Sequence, residues 1–125
     1  MSNQIMRISK EALNKILSGQ VKKDVTCIVK FYTNSCPFCE NLHDYYIDIA
    51  ENKNFTDLNF FAFNMADDPG IENRLSFNGV PTISVIKARK GDPSAIVSIM
   101  PDPDPPNEHT WYYSKDIQEF IERQT

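Results

Sequence analysis

Cys36 and Cys39 enclose Pro37-Phe38 and are the residues of this sequence best suited to chemistry. The pair follows an apolar run over 25–32 and opens a segment with helical spacing. A helix N-terminus offers unpaired N–H groups and a partial positive charge, which stabilise a thiolate. Cys36 could then attack a disulfide, and Cys39, one turn along, could displace the reduced substrate. The pattern therefore predicts thiol–disulfide exchange, with Cys36 as nucleophile and Cys39 as resolving cysteine.

The third cysteine and the nearby histidine have simpler interpretations. Cys27 lies alone in the apolar run and is expected to be a small buried hydrophobe. His43 follows Cys39 by one turn, which raises the possibility of zinc, yet a structural zinc needs four ligands and only His109 or a carboxylate remains. We therefore expect no metal and a solvated His43. Three unevenly placed cysteines suit a reducing compartment.

Length, charge and hydropathy narrow the class of protein. The 125 residues, of which 41% are hydrophobic and 24% charged, predict one globular domain over 1–125. A net charge of −4 argues against nucleic acid as a partner, because phosphate binding needs a basic patch. The start of the chain lacks a secretion signal, and no apolar stretch approaches the roughly 20 residues that span a bilayer. The expectation is a cytoplasmic protein that does not bind membranes.

The elements that must position the cysteines alternate between strands and helices. Two apolar runs, 25–32 and 58–64, predict buried strands, and the runs 82–87 and 95–100 predict a β-hairpin. A short strand around 5–8 is also expected. Helices are predicted over Ser9–Leu17 with Ser9 as N-cap and Gly19 as C-cap, over Glu40 to about Asn52, over Ile71–Leu75, and over Ser114–Glu122 with a cap at its start. This order predicts an α/β fold, a mixed sheet with helices on both faces.

Several motifs at these positions resemble those of the thioredoxin family. They are Phe31-Tyr32 before the cysteines, Asn64 with Asp67-Asp68-Pro69-Gly70, the segment Gly79-Val80-Pro81-Thr82, and the last helix. The resemblance covers nearly the whole chain. It implies a thioredoxin-like fold and a monomer without a cofactor, which reduces protein disulfides and is recharged by thioredoxin reductase or glutathione.

The resemblance also implies roles for further residues. Val80-Pro81 should hold a cis peptide bond that packs against the active cysteines, so that the Val80 backbone can pair with a substrate strand. Phe38, Val80 and Trp111 would supply the apolar surround. Trp111 and its neighbouring tyrosines could equally pack over the sheet edge as ordinary core.

Two departures from the family concern the motif itself. Ser35 stands where thioredoxins usually have Trp, and Pro37-Phe38 replaces the usual Gly-Pro. A Pro-aromatic pair is nearer to the glutaredoxins, whose glutathione-holding Gly-Gly is absent here. The sequence favours a thioredoxin-like protein with a variant motif. A glutathione-coupled, glutaredoxin-like enzyme is one alternative, and a binding subunit whose redox chemistry is incidental is another.

A third departure is Lys30, at a position where thioredoxins usually bury an Asp that helps move the proton of the resolving cysteine. A buried lysine would have a lowered pKa and could act as a neutral base. We expect instead that Lys30 snorkels to the sheet edge. The Pro- and Asp-rich segment over 101–107 is expected to be an exposed, partly extended loop.

Overall fold

The computed structural model describes residues 5–125, within which five strands form one mixed sheet. The strands are β1 (Met6–Arg7), β2 (Val25–Tyr32), β3 (Asn59–Asn64), β4 (Thr82–Ala88) and β5 (Ile96–Ile99), in the spatial order β1-β3-β2-β4-β5. β1 and β2 run parallel to β3, whereas β4 is antiparallel to both β2 and β5. The predicted mixed sheet and its hairpin are confirmed.

The helices lie on both faces of this sheet, as predicted. They are α1 (Lys10–Leu17), α2 (Pro37–Ala50), α3 (Ile71–Leu75) and α4 (Ser114–Gln124), with two short 3-10 helices at Lys53–Phe55 and Met65–Asp67. On one face, Ile28 of β2 packs with Tyr46 of α2 and Phe120 of α4. On the other, Phe31 of β2 packs with Leu13 of α1 and with α3. Alternate residues of β2 therefore pack into two cores, which explains why most of its residues are apolar.

The ends of three helices differ from the predictions. α2 begins at Pro37 and not at Glu40, because proline fits the first helical position, where an N–H has no partner. Ser18 caps α1 at its C-terminus, and Gly19 follows with a φ of +75°. α4 begins at Ser114, so that Tyr113 occupies the N-cap and makes no side-chain capping hydrogen bond.

The segment over 101–107 contains no regular helix or strand and is largely exposed, as predicted. It contains a cis peptide bond between Asp104 and Pro105. Among the described residues, no helix has the length and hydropathy needed to cross a membrane.

Candidate thiol–disulfide site

Cys36 occupies the N-cap of α2, directly after the loop that leaves β2. Its Sγ accepts a hydrogen bond from the backbone N–H of Cys39 at 3.1 Å. This donor is one of the N–H groups that an α-helix leaves without an internal partner. Together with the positive end of the 14-residue helix, it stabilises negative charge on the Cys36 sulfur. The sequence-predicted position of Cys36 at a helix start is thus observed.

The Sγ atoms of Cys36 and Cys39 are joined as a disulfide, with the Cα atoms 5.2 Å apart. Both residues are buried, Cys36 to 7% and Cys39 to 3% exposure. Cys27 is the free cysteine of residues 5–125 and is also buried. Burial raises the pKa of its thiol to about 11, so Cys27 stays protonated at neutral pH and is a poor nucleophile.

The loop before Cys36 is tied to the end of the neighbouring strand β3. Asn64, whose side chain is buried, donates to the side-chain oxygen of Asn34 at 2.8 Å and accepts from the Ala66 N–H at 2.9 Å. Both polar groups of this amide are therefore hydrogen-bonded. In a buried position, an unpaired amide would cost about 1–3 kcal/mol of stability. The amide of Asn64 therefore holds the position of the segment from which the cysteines project.

The segment with Pro81 lies at the same end of the sheet. Thr82 begins β4 opposite Phe31 of β2, so Pro81 lies beside the end of β2 from which the cysteine loop departs. The Val80–Pro81 bond is cis, and Pro81 is buried. The Thr82 hydroxyl donates to the Gly79 carbonyl at 2.7 Å, which fixes this turn. The structure thus brings Pro81 and the cysteines to one end of the sheet.

An aromatic pair covers the first turn of α2. The rings of Phe38 and Trp111 have their centres 5.7 Å apart, although the residues are far apart in sequence. Trp111 exchanges two backbone hydrogen bonds with Asn107 and has a φ of +65°. The side chain of Asn41 on α2 donates to the His109 carbonyl at 2.8 Å and anchors the same loop. Trp111 is half-buried against the core, so it combines packing with a partly exposed surface next to Phe38.

Val80 and Trp111 pack against opposite faces of the sheet. Val80 is half-buried and packs with the core cluster on the face of α1 and α3, whereas Trp111 packs with the cluster on the face of α2 and α4. The role of these side chains as an apolar surround of the cysteines stays a prediction.

The prediction that Lys30 snorkels to the sheet edge is wrong, because its side chain is only 3% exposed. Lys30 lies in the central strand β2 and is flanked by Ala62 of β3 and Ile83 of β4, which leaves no nearby edge. Its Nζ lies 5.3 Å from the ring centre of Tyr46 and 5.9 Å from that of Tyr32. Burial lowers the pKa of Lys30 to about 8.

His43 is exposed, yet it is not simply a solvated side chain. Its Nδ1 lies 3.3 Å from Lys30 Nζ. Partial burial and then the charge of Lys30 lower the pKa of His43, while Asp44 opposes the shift. The sequence offered one signal for this contact, since His43 follows Cys39 by four residues and so shares its side of α2.

A cleft of about 270 Å³ opens beside the second cysteine. Its lining includes Lys30, Cys39 and His43, together with Glu40 and Arg7. The Arg7 guanidinium is hydrogen-bonded to the Asp67 carboxylate at 2.8 Å.

Among residues 5–125, no group of three or more His, Cys, Asp or Glu side chains is arranged to hold a metal ion.

A C-x-x-C pair at disulfide distance on the N-terminus of a helix, in a sheet of this topology, defines the class of thioredoxin-fold thiol–disulfide oxidoreductases. The family profile described as Thioredoxin matches residues 4–101. The chain therefore belongs to the thioredoxin family.

Solved structures show the same fold at low sequence identity. Thioredoxin f2 of Chlamydomonas reinhardtii is 15% identical, with a TM-score of 0.69 over 98% of this chain and 97% of its own. A chloroplastic thioredoxin z is 23% identical, with a TM-score of 0.64 over 98% and 96%. The J-Trx1 fragment of ERdj5 is 20% identical, with a TM-score of 0.60 over 96% of this chain and 49% of that one. The chain thus spans about half the length of the last structure and nearly all of the other two.

Proposed function

We propose that this protein reduces disulfides of other proteins, with Cys36 as the nucleophile and Cys39 as the resolving cysteine. The observation that supports this most directly is the hydrogen bond from the Cys39 N–H to Cys36 Sγ at the start of α2. A fixed donor aimed at the sulfur favours its thiolate, and the thiolate is the form that attacks a disulfide.

The reaction has two exchange steps. The Cys36 thiolate attacks one sulfur of the substrate disulfide, and the other substrate sulfur leaves as a thiolate. Cys39 then attacks Cys36 Sγ, which releases the second substrate sulfur and forms the Cys36–Cys39 disulfide. The substrate gains two electrons and the protein loses two. The disulfide seen in the structure corresponds to the product of this second step.

The substrate is proposed to be an extended peptide segment of a protein. Val80 lies two residues before the start of β4, so its backbone lies outside the strand pairing of the sheet and is available to pair with a substrate strand. Phe38 and Trp111 offer an aromatic surface beside Cys36. In this proposal Pro81 shapes the turn on which the substrate rests.

The electron donor is thioredoxin reductase or glutathione. The Pro37-Phe38 pair between the cysteines resembles that of glutaredoxins, which keeps the glutathione-coupled alternative open. A cytoplasmic location and a monomeric state complete the proposal, on the grounds of cysteine usage and the ordinary state of this fold. NADPH oxidation with either thioredoxin reductase, or glutathione plus glutathione reductase, identifies the donor.

The proposal is tested by reduction of insulin in the presence of dithiothreitol, followed by precipitation of the freed chain. We expect the wild-type protein to accelerate precipitation, and the double variant Cys36→Ser with Cys39→Ser to match the reaction without protein. Cys27→Ser is the matched control and should retain full activity. If the double variant kept the biological activity of the wild-type protein, that result would favour the binding-subunit alternative. In that alternative, the exposed loop over 101–107 and Trp111 form the contact surface.

A further inference from the structure

Resolution of a mixed disulfide requires the Cys39 thiol to lose a proton, and Cys39 is buried. Its exposure is 3%, so bulk water does not bathe its sulfur. The cleft beside it is lined by two nitrogen bases, Lys30 and His43, of which the first is buried and the second exposed. This inference rests on the proposed function, because it concerns the second of its two steps.

We propose that Lys30 accepts the proton of Cys39 and that His43 carries it to solvent. Lys30 is then a proton acceptor in place of a carboxylate, and His43 is a positioning residue that acts through Lys30.

The contacts of Lys30 suit an amine that changes its charge. Its Nζ lies 3.3 Å from His43 Nδ1, within hydrogen-bond distance. The ion pairs found among residues 5–125 do not include Lys30, so no carboxylate locks it as an ammonium. The rings of Tyr46 and Tyr32 lie near enough to stabilise the charged form briefly. An amine held in this way can gain and lose a proton without separating an ion pair.

The protonation states support the same direction of transfer. Burial lowers the pKa of Lys30 to about 8, so a neutral amine is present near neutral pH and becomes the main form above pH 8. A base is most effective when its pKa lies near the working pH. The charged or titratable groups that face the pair are Arg7 from β1, which is paired with Asp67, Tyr32 from the end of β2, and Glu40, Asp44 and Tyr46 from α2.

The proposed step transfers one proton and exchanges one S–S bond for another. The Cys39 S–H gives its proton to neutral Lys30, which becomes an ammonium, and the Cys39 thiolate attacks Cys36 Sγ. The Cys36–substrate S–S bond breaks, and the substrate sulfur leaves as a thiolate that takes a proton from water. Lys30 passes its proton to His43 Nδ1. Because His43 is exposed and its pKa is lowered, it releases a proton to water and returns to its neutral form.

The test separates the two exchange steps with the aromatic disulfide DTNB, which releases a coloured thiolate when it is reduced. Attack by Cys36 releases one coloured thiolate at a rate that depends on DTNB concentration. Resolution by Cys39 releases the second at a rate that does not. We expect Lys30→Met to leave the first phase unchanged and to slow the second by about 10²-fold at neutral pH, the low end of what a positioned base contributes. The deficit should shrink as pH rises above 8, where hydroxide deprotonates Cys39 directly.

Two further variants distinguish a base from a fixed charge. Lys30→Arg keeps the positive charge but cannot lose it near neutral pH, so it should be as slow as Lys30→Met. His43→Gln changes an exposed side chain and should slow the second phase less, with the strongest effect at low buffer concentration. A second phase at the wild-type rate in Lys30→Met would overturn the inference, as would a wild-type rate in Lys30→Arg.

Failure of the proposed function would look different from failure of this inference. If the wild-type protein showed a first phase but no second, Cys39 would not resolve the mixed disulfide and the proposed function would fail. If both wild-type phases were present and Lys30→Met reproduced them, the proposed function would stand and the role of Lys30 would be rejected.

Discussion

The two sides of the cysteine pair are formed by different kinds of side chain. On the side of Cys36 lie the helix start and the Phe38–Trp111 aromatic pair, with the Pro81 turn at the same end of the sheet. On the side of Cys39 lie the buried amine of Lys30 and the imidazole of His43. The comparison indicates how a buried pair of thiols can meet two demands. In the proposed mechanism, one side admits the substrate and the other gives a proton a route to water.

The largest effect should come from removing one thiol at a time. We expect Cys36→Ser to abolish the mixed disulfide with substrate, because its side chain carries the attacking sulfur. We expect Cys39→Ser to accumulate that mixed disulfide, because the resolving thiol is missing. Both should reduce insulin turnover to the background rate. The mixed disulfide is detected by non-reducing gel electrophoresis after acid quenching, with Cys27→Ser as control. If the mixed disulfide accumulated in Cys36→Ser and not in Cys39→Ser, the assigned roles would be reversed.

The next effect concerns the stability cost of burying Lys30. The lowering of its pKa from 10.5 to about 8 corresponds to about 3 kcal/mol, at about 1.4 kcal/mol per pKa unit. Between pH 8 and pH 10.5 the unfolded chain binds more protons at this residue than the folded chain, so the contribution of Lys30 to stability rises with pH across this window. We therefore expect Lys30→Met to be more stable than wild type by about 3 kcal/mol below pH 8, with the difference fading by pH 10.5.

Urea unfolding of the disulfide form at several pH values measures this difference. Lys87→Met is the matched control, because Lys87 is exposed on β4 and its replacement should change stability by less than about 0.5 kcal/mol. A gain in Lys30→Met that did not vary between pH 7 and pH 10.5 would show that the lysine is not buried as a strained cation.

The smallest effect should come from the aromatic side. Trp111→Ala removes the ring that faces Phe38, and an aromatic pair contributes about 0.5–1.5 kcal/mol beyond its buried area. We expect the KM for insulin to rise about 2- to 10-fold, with little change in the second phase of the DTNB reaction. Tyr45→Ala, at an exposed position on α2, is the control and should leave KM unchanged. An equal slowing of the resolving step would remove the distinction between the two sides.

The strands and the cysteine position could be predicted from local sequence. The run over Val25–Tyr32 is apolar at most positions because both faces of β2 are covered, and its observed bounds agree with the prediction. The position of Cys36 follows from the strand before it and the helical spacing after it. These features depend on residues close together in the chain, which is why their pattern was sufficient.

The surroundings of the cysteines depend on contacts between distant residues. Whether Lys30 reaches solvent is decided by β3 and β4 on either side of its strand, and not by the lysine itself. The Phe38–Trp111 contact depends on a loop that turns at Trp111 with a positive φ, which residue propensities do not favour outside glycine. For this reason the chemistry at the motif was predictable, whereas the groups that tune it required the structure.

The most direct test of the central claim is the reduction potential of the Cys36–Cys39 pair, measured by equilibration in dithiothreitol and glutathione buffers with thiol trapping. We expect one two-electron transition below about −200 mV, within the glutaredoxin range or on its reducing side, in which Cys27 remains a thiol. The absence of a Cys36–Cys39 disulfide at every buffer composition, or a transition above about −200 mV, would contradict a protein-disulfide reductant.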